Sequence, residues 1–376
     1  MSLDILHLTS AHPVQDTRIF VKEARALAAS GFAVGILGPG DKSDQWDADG
    51  VSIHTLPRPS SRKARFSSFA KALFLYSLSL KPKVVHLHDP DLLLLAPKFQ
   101  RRGVKVVYDV HEEFPKAILS RAWLGPIWIR RIVAKLFDGM EIFALRWLDG
   151  VVLADTQLAR RFEDANSVVV RNFLDLFEWQ SRPSQRAPSG AIRCIYVGDI
   201  TIARGLDRMC EAIAEVRGRG LTIHLDLIGP ISPANRKRVE AHAVGQSITI
   251  HGRMSRKQVA RSLSQSDIAL CLLQPLPAYQ EALPVKVLEY FVSCLPVVAT
   301  DLPRLREEVT LAEGLTLVGW NADDGALGQS IITAVGMSNA RRSDLRKSVV
   351  GHYNWANEAG KLVAFYQALF EARDAS

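Results

Sequence analysis

Short apolar runs alternate with helical segments along both halves of this chain of 376 residues. Apolar runs of this kind suit strands buried on both faces, and the segments between them suit the crossover helices of parallel sheets. The sequence therefore predicts an α/β fold with one parallel sheet in each half. The predicted strands are residues 5–9, 34–37, 84–88, 104–109, 151–154 and 168–170 in the first half, and 192–197, 224–228, 248–251, 268–272 and 296–299 in the second.

A polar stretch rich in Pro and Ser, residues 180–190, lies between the two halves and is the best linker candidate. The hydrophobic content of 48% and the charged content of 23% are those of a globular protein. Each half is long enough to bury a core of its own. In the first half, a helix over residues 18–30 is expected to end at Gly31.

The chain carries no pattern typical of export or of membrane insertion. Residues 1–8 have an acid where a signal peptide has a basic region, and no stretch of about 20 residues lacks charge. The cysteines lack metal-type spacing and lie in apolar segments, which predicts reduced thiols in a cytoplasmic protein. They are Cys194, Cys210, Cys271 and Cys294.

Two carboxylates, Glu281 and Glu289, flank Pro284 and Lys286 in the second half. Proline fits the first turn of a helix, so a helix is expected to start near Pro284. Glu281 would precede the helix and Glu289 would lie inside it. The free N–H groups of the first turn and the Lys286 ammonium would then form an anion site between two hydrogen-bond acceptors, as a phosphorylated sugar requires.

This segment resembles the Glu-x7-Glu motif of retaining glycosyltransferases with the GT-B fold, particularly family 4. The resemblance implies that Glu281 holds hydroxyls of the donor sugar and Glu289 holds the ribose of the nucleotide. It assigns the diphosphate to Lys286 and the helix N-terminus. The competing interpretation is an amphipathic helix with a solvated Glu and Lys.

The resemblance covers nearly the whole chain and implies the GT-B architecture, in which two Rossmann-like domains face each other across a cleft. The first domain, residues 1–180, would take the acceptor and the second, residues 191–355, would take the nucleotide-sugar donor. Residues 181–190 would link them. The last segment, 356–376, resembles C-terminal helices of the family that return to the first domain.

Residues 198–205 follow the first strand of the second half. Gly198 at the strand end and Arg204-Gly205 before the next helix suit a diphosphate. Arg204-Gly205 matches the Arg-Gly pair of the family, but Asp199 stands where an arginine is usual. The resemblance therefore leaves one cation missing, and Lys286 is expected to substitute for it. A solvent-exposed arginine near a turn is the alternative.

The segment from His86 to Asp91 closes a strand and opens a helix. Asp89 is expected to cap that helix. This role explains the sequence Asp89-Pro90-Asp91 better than a metal-binding Asp-x-Asp motif does. By the resemblance, His88 corresponds to a histidine beside the donor sugar near the reacting centre. His86 is expected to face the other side of the sheet and join the core.

Further candidate residues lie at two other strand ends of the first half. Asp109, His111 and Glu112 follow one strand, where similar segments of the family surround the acceptor pocket, and they could orient an acceptor hydroxyl or accept its proton. An equally supported interpretation is that these residues only cap helices and form salt bridges. Asp16 and Arg18 follow the first strand and could serve the acceptor or the phosphates.

Basic residues and aromatic residues interleave in two regions of the first half, 58–83 and 123–147. Basic amphipathic helices with aromatic residues are suited to an anionic membrane surface. Core-facing helices with solvated basic faces would give the same pattern. The net charge of +8 could also attract nucleic acid. The sequence contains no recognised nucleic-acid-binding motif, so nucleic acid is not an expected partner.

The resemblance implies a retaining glycosyltransferase that moves a sugar from a UDP- or GDP-linked donor to a sugar acceptor. The expected acceptor is lipid-linked, in bacterial surface polysaccharide synthesis, and the expected location is cytoplasmic, at the inner face of the membrane. No metal or other cofactor is expected, because cations of the protein would stabilise the departing diphosphate. The alternatives are a GT-B nucleotide-sugar epimerase and a non-catalytic nucleotide-sugar or polysaccharide-binding protein. The residues assigned to catalysis are His88, Arg204, Glu281 and Lys286.

Overall fold

The structure is a computed structural model that describes residues 2–121, 124–176, 190–309, 314–337 and 339–374. The chain divides into two compact units. Unit 1 contains Met1–Asn172 and Trp355–Ser376, and unit 2 contains Phe173–Asn354. Of the predicted linker 181–190, only Gly190 lies inside the described residues. The expected role of that segment stays a prediction.

Unit 1 is built on an eight-stranded sheet in the order β3-β4-β2-β1-β5-β6-β7-β8. All neighbouring strands are parallel except the pair β3 and β4. The strands are β1 Ile5–Leu8, β2 Val34–Gly40, β3 Asp44–Ala48, β4 Val51–Pro57, β5 Val84–Leu87, β6 Lys105–Val110, β7 Gly150–Leu153 and β8 Ser167–Val169.

Helices cover both faces of this sheet. The α-helices are α1 Arg25–Ala29, α2 Arg62–Ala64, α3 Ala70–Ser79, α4 Ala96–Gln100, α5 Phe114–Ser120, α6 Ile127–Ala144 and, from the end of the chain, α15 Trp355–Asp374. Two π-helical segments, Thr17–Ala24 and Arg65–Phe69, lead into α1 and α3, and the described part of the unit also contains the 3-10 segments Pro90–Leu95, Leu145–Trp147 and Thr156–Phe162. Apolar side chains fill a core on each side of the sheet.

Unit 2 is built on a six-stranded parallel sheet in the order β11-β10-β9-β12-β13-β14. The strands are β9 Ile192–Val197, β10 Ile223–Ile228, β11 Ile248–Gly252, β12 Ile268–Cys271, β13 Val297–Thr300 and β14 Leu315–Val318. The α-helices are α7 Leu206–Gly218, α8 Pro233–Glu240, α9 Arg256–Ser264, α10 Pro277–Gln280, α11 Val285–Val292, α12 Pro303–Glu308, α13 Asp324–Val335 and α14 Asn339–His352, with 3-10 segments at Ile202–Arg204 and Gly245–Ser247.

The predicted fold class is confirmed, because each half forms a doubly wound, Rossmann-like layer with its own cores. Among the parallel strands, each sheet reverses its strand order once, between β1 and β5 in unit 1 and between β9 and β12 in unit 2. In open α/β sheets, ligands bind outside the carboxyl ends of the strands at this reversal. The residues that follow β1, β5 and β9 are therefore the first place to look for a site.

Three strands were absent from the sequence prediction: β3, β4 and β14. β3 carries charged and polar residues and is largely exposed, so it lacks the apolar run of a central strand. The helix expected over residues 18–30 is present as Thr17–Ala24 and α1, and Gly31 follows it with a φ of 94°. No helix in the described ranges combines the length and the apolar content that crossing a bilayer requires.

Candidate active site

At the end of β9 in unit 2, the side chain of Lys286 packs directly against the backbone of Gly198. Gly198 has a φ of 142°, and a Cβ placed on it would lie 1.7 Å from Nζ of Lys286. The end of the neighbouring strand β10 also packs closely on this backbone. A Cβ placed on Gly229 would lie 2.0 Å from the Gly198 carbonyl oxygen. Only glycine leaves room for this approach, so the strand end forms a concave backbone surface beside a cation.

Lys286 is the second residue of α11, which starts directly after Pro284 as predicted. Its Nζ lies 3.5 Å from the Tyr196 hydroxyl and 5.1 Å from the centre of that ring. Tyr290, one turn further on, accepts a hydrogen bond of 3.0 Å from the Val197 N–H and fixes α11 against β9. Burial, together with the nearby Arg204, lowers the pKa of Lys286. A bound anion would relieve that repulsion.

Arg204 ends the short 3-10 segment after β9, and the Thr201 hydroxyl accepts a hydrogen bond from its N–H at 3.2 Å. Its guanidinium lies 3.4 Å from Asp199. Gly205 follows with a φ of 85° and starts α7. The aspartate that replaces the usual arginine of the family thus pairs with the remaining arginine, and Arg204 is close enough to Lys286 to lower its pKa.

The two glutamates of the motif differ in their surroundings. Glu289 is half-buried on α11 and close enough to Lys286 to favour its charged form. Glu281 is exposed and follows the short helix α10, in the segment before α11. The structure thus brings Gly198, Arg204, Gly205, Lys286 and Glu289 into one region at the strand reversal. The assigned contacts of Glu281 and Glu289 with a donor stay predictions.

Unit 1 has a cavity of about 380 Å³ at the carboxyl ends of β1, β5 and β6. Its lining includes residues from the loop after β1, from the ends of β5 and β6 and from α5. These residues are Ala11, His12, Arg65, His88, Asp89, Pro90, Tyr108, Asp109, His111, Glu112, Phe114 and Arg121. His111 and Glu112, two of the predicted acceptor residues, are among those that have exposed surface.

Asp109 is the centre of the polar network beneath this cavity. Its carboxylate accepts hydrogen bonds from Nε and Nη2 of Arg18 at 2.8 and 2.7 Å, from Nδ1 of His88 at 3.0 Å and from Nε2 of His111 at 2.7 Å. Burial opposes its ionisation, but Arg18 and His111 hold the pKa of Asp109 well below its usual range. Asp109 is therefore a buried carboxylate that only accepts hydrogen bonds.

Arg18 and Asp109 lie together at the predicted acceptor cavity, which Asp109 lines, and their contact with an acceptor stays a prediction. Both side chains are buried and bonded to each other. Asp16, which was predicted together with Arg18, caps the helical segment that starts at Thr17 by accepting from the backbone N–H of Arg18 at 2.8 Å. It therefore holds Arg18 in place from the backbone side.

The contact expected between His88 and the donor sugar stays a prediction, although His88 is one of the residues around the cavity. The His88 side chain has no exposed surface, and its two ring nitrogens bond to Asp109 and, at 2.8 Å, to Nδ1 of His7. The His111 side chain keeps 26% of its surface exposed and lines the cavity. His111 and His12, whose side chain is 37% exposed, are therefore imidazoles of this cavity that can meet a substrate.

His86 differs from its prediction. Its ring stacks on His88 with centroids 4.6 Å apart, because side chains two positions apart on a strand share a face. His86 is buried as expected, and Tyr366 from α15 bonds to its Nδ1 at 2.9 Å. Asp89 precedes the next helical segment as predicted, but its carboxylate bonds instead to Thr9, Ser10 and Ala11 in the loop after β1.

Two groups of side chains have the composition of a metal site, with possible ligand atoms within 4.8 Å of one another. One is His7, Glu23, His86 and His88, and the other is His88, Asp109 and His111. The nitrogens of His88 are already used in hydrogen bonds, and the Arg18 guanidinium lies 3.0 Å from Glu23. Hydrogen bonds within the protein explain the second group, whereas Nε2 of His7, Nε2 of His86 and the carboxylate oxygens of Glu23 in the first group are buried without a hydrogen-bond partner among the described residues. A cation there would compete with Arg18.

Glu23 gives this cluster a testable pH dependence. Burial, together with the nearby Asp109, raises the pKa of Glu23 well above its usual 4.5. Above about pH 4.5 the unfolded chain ionises this group while the folded chain keeps its proton, so stability falls as pH rises towards the folded pKa. Glu23→Gln removes that loss, and its stability relative to wild type should rise with pH by up to about 1.4 kcal/mol per pH unit.

Urea unfolding of both proteins between about pH 5 and pH 8 measures this difference. The exposed Glu163→Gln is the control and should run parallel to wild type. A Glu23→Gln curve that also runs parallel to wild type would show that Glu23 is ionised in the folded protein.

The sequence analysis missed His7, Glu23, Arg65 and Tyr366. His7 and Glu23 lie on elements that it had placed correctly, and the register of β1 against β5 puts His7 beside His86. Arg65 belongs to the basic region 58–83, but its guanidinium bonds to Asp91 beside the cavity. Tyr366 had no sequence signal, since it lies 280 residues from its partner.

Comparisons with known proteins agree with this architecture. Two family models match, one described as a glycosyl transferase 4-like domain over residues 18–172 and the other as glycosyl transferases group 1 over residues 191–336. A search of curated proteins finds no significant match.

Several solved structures share the fold over nearly their whole length. A sucrose-phosphate synthase from Thermosynechococcus elongatus has a TM-score of 0.73 and 18% identity, with 98% of this chain and 99% of that chain covered. A glycosyltransferase from Rickettsia africae has a TM-score of 0.70 and 15% identity, with 98% and 99% covered. An α,α-trehalose-phosphate synthase (UDP-forming) from Burkholderia vietnamiensis has a TM-score of 0.69 and 11% identity, with both chains covered completely.

One glycosyltransferase family model matches each of the two Rossmann-like units, and together they identify this protein as a glycosyltransferase with the GT-B fold. The matched models cover both units, and the protein is an enzyme of the glycosyltransferase class. The glycosyl transferase 4-like model matches unit 1, and the glycosyl transferases group 1 model matches unit 2.

Proposed function

We propose that this glycosyltransferase moves a sugar from a nucleotide-diphospho-sugar, UDP- or GDP-linked, to a sugar acceptor with retention of configuration. The observation that carries this proposal is the pair of cations around Gly198. Lys286 lies against the glycine backbone at the start of α11, and Arg204 lies on the neighbouring turn. Cations beside free N–H groups of a helix N-terminus are what a diphosphate needs.

Unit 2 would hold the donor. Lys286 and Arg204 neutralise the charge that develops on the departing diphosphate, the task that a metal performs in other enzymes. The reaction therefore needs no metal, and chelators should leave turnover unchanged. Glu289 would bind the ribose hydroxyls and Glu281 the hydroxyls of the sugar.

Unit 1 would hold the acceptor in the cavity beside His111. That ring can accept a hydrogen bond from a sugar hydroxyl, and Glu112 and His12 offer further polar contacts. Retention follows if the acceptor attacks the same face from which the diphosphate leaves, with a phosphate oxygen taking the acceptor proton. No nucleophilic carboxylate of the protein is then required.

The experiment is a panel of UDP-, GDP-, dTDP- and ADP-sugars incubated with sugar acceptors, with release of the nucleoside diphosphate followed over time. One donor should give release that depends on the acceptor, and the product of an α-linked donor should carry an α-glycosidic bond by NMR. A product of inverted configuration would overturn the proposed stereochemistry. Donor turnover without any acceptor requirement would contradict transfer.

For the acceptor we propose a lipid-linked sugar at an anionic membrane surface, as in bacterial surface polysaccharide synthesis. The support is an exposed stripe on α6 formed by Trp128, Ile132, Leu136 and Phe143, which are 52–70% exposed. Their spacing places them on one helix face, and the exposed Arg131 and Lys135 flank them. Region 58–83 supports this less, because its Phe69, Leu73 and Phe74 face the core.

Leu136→Glu should weaken binding to vesicles that contain phosphatidylglycerol at least about tenfold, because it removes an apolar contact and adds a negative charge. Co-sedimentation measures the bound fraction. Leu221→Glu in unit 2 is the matched control, since Leu221 is 40% exposed but lies outside the stripe and outside region 58–83. Equal binding of wild type and Leu136→Glu would exclude the stripe, and a soluble sugar would then be the acceptor to test.

A further inference from the structure

We propose that Arg18 and Asp109 are positioning residues that hold His111 in one tautomer, with Nε2 protonated and Nδ1 free to accept a hydrogen bond. The effect on catalysis rests on the proposed function, whereas the tautomer itself does not. Neither residue needs to touch a substrate, because both act through the ring of His111.

The first step is the anchoring of Asp109. The Arg18 guanidinium donates to both carboxylate oxygens of Asp109, through Nη2 to Oδ1 and through Nε to Oδ2. Its third nitrogen, Nη1, donates to the Val170 carbonyl at 3.0 Å. A planar, permanently charged fork bonded at three points fixes the carboxylate in both position and orientation.

The second step is the assignment of protons. An ionised carboxylate has no hydrogen to give, so each partner of Asp109 must donate. His111 contacts Oδ2 through Nε2 at 2.7 Å, and this nitrogen therefore carries the hydrogen. In neutral imidazole the other nitrogen then holds a lone pair. The His111 ring lines the cavity, so its Nδ1 is the acceptor that the ring offers to a sugar hydroxyl.

The same logic explains why His88 does not compete for this role. Its Nδ1 must also donate to Asp109, so its Nε2 must accept, and the His7 Nδ1–H supplies that hydrogen. His88 and His7 thus complete the bonding around the carboxylate inside the unit. The network leaves His111 as the bonded partner of Asp109 that has an exposed ring.

The test uses the full-length protein with 15N-labelled histidine. Long-range 1H–15N spectra report which ring nitrogen is protonated, and His111→Gln assigns the signal. Wild type should show the Nε2–H tautomer. Arg18→Lys keeps the charge but loses the fork, so it should reduce that tautomer and lower kcat about tenfold with little change in KM for the donor.

Lys22→Arg is the matched control, because Lys22 is a buried cation on the same helical segment that bonds to Asn172 instead. It should leave both the tautomer and kcat unchanged. Asp109→Asn is the second route, since its amide can donate to Nε2 and should shift the hydrogen to Nδ1. Thermal melting identifies any variant that fails to fold.

A wild-type signal with the hydrogen on Nδ1 would overturn the proposal. So would an Arg18→Lys protein with an altered tautomer and the kcat of wild type, because His111 would then have no part in turnover that depends on its tautomer. The predicted tautomer in a protein without any transfer activity would instead contradict the proposed function and support the positioning.

Discussion

Lys286→Met should lower kcat about 10²- to 10³-fold, because removing one group that stabilises developing negative charge has an effect of this size in other enzymes. Methionine keeps much of the stem that packs on Tyr196, so only the ammonium beside Gly198 is lost. The KM for the donor should change less than kcat, since the charge on the bridging oxygen grows as the diphosphate departs. Initial rates at varied donor and saturating acceptor measure both constants.

Lys257→Met on α9 is the control, because Lys257 is an exposed lysine of the same unit with no place in the donor site. Its rates should equal those of wild type. A Lys286→Met enzyme with the kcat of wild type would mean that another group carries the diphosphate charge. A rise in donor KM alone would mean that Lys286 binds the ground state and the transition state equally.

Gly205→Ala should destabilise unit 2 by roughly 3 kcal/mol or more. Its φ of 85° is unfavourable for alanine, which costs about 1–2 kcal/mol. The added Cβ would also lie 1.8 Å from the backbone carbonyl oxygen of Leu272, so α7 or β12 must shift. Because Arg204 directly precedes this glycine, nucleotide affinity should fall with stability. Urea unfolding and nucleotide binding measure the two effects.

Gly220→Ala separates the two causes. Gly220 has a similar φ of 80°, but a Cβ there meets nothing within 4 Å. It should therefore show only the backbone penalty of about 1–2 kcal/mol. Equal losses in the two variants would mean that the close approach between Gly205 and Leu272 is absent in the protein.

Most strands could be predicted from the sequence, because parallel strands buried on both faces consist of consecutive apolar residues. β9, for example, was predicted as residues 192–197 and extends over Ile192–Val197. β14 escaped because its residues are mostly only half-buried at a sheet edge. Fold class thus depends on patterns within a few residues, which a single sequence shows.

The same difference between local and long-range contacts separates the two candidate sites. The segment around Lys286 and Glu289 is one helix and its start, so its arrangement could be predicted from spacing alone. Arg18 and Asp109 lie 91 residues apart, and no local pattern indicates that they bond to each other. Both are buried, and Asp109 also bonds to His111. The bond between His88 and His7 was missed in the same way, because His7 lies on another strand.

The central claim is that unit 2 binds a nucleoside diphosphate through α11, and direct binding tests it most simply. Calorimetric titration of UDP, GDP, dTDP, ADP and CMP into wild type and Glu289→Ala needs no knowledge of the acceptor. Glu240→Ala, an exposed carboxylate on α8, is the control. One nucleoside diphosphate should bind wild type and Glu240→Ala equally and bind Glu289→Ala at least about tenfold more weakly, as the loss of a charge-assisted hydrogen bond implies. A nucleotide that binds Glu289→Ala as tightly as wild type, or no binding to any of the three proteins, would contradict the donor site.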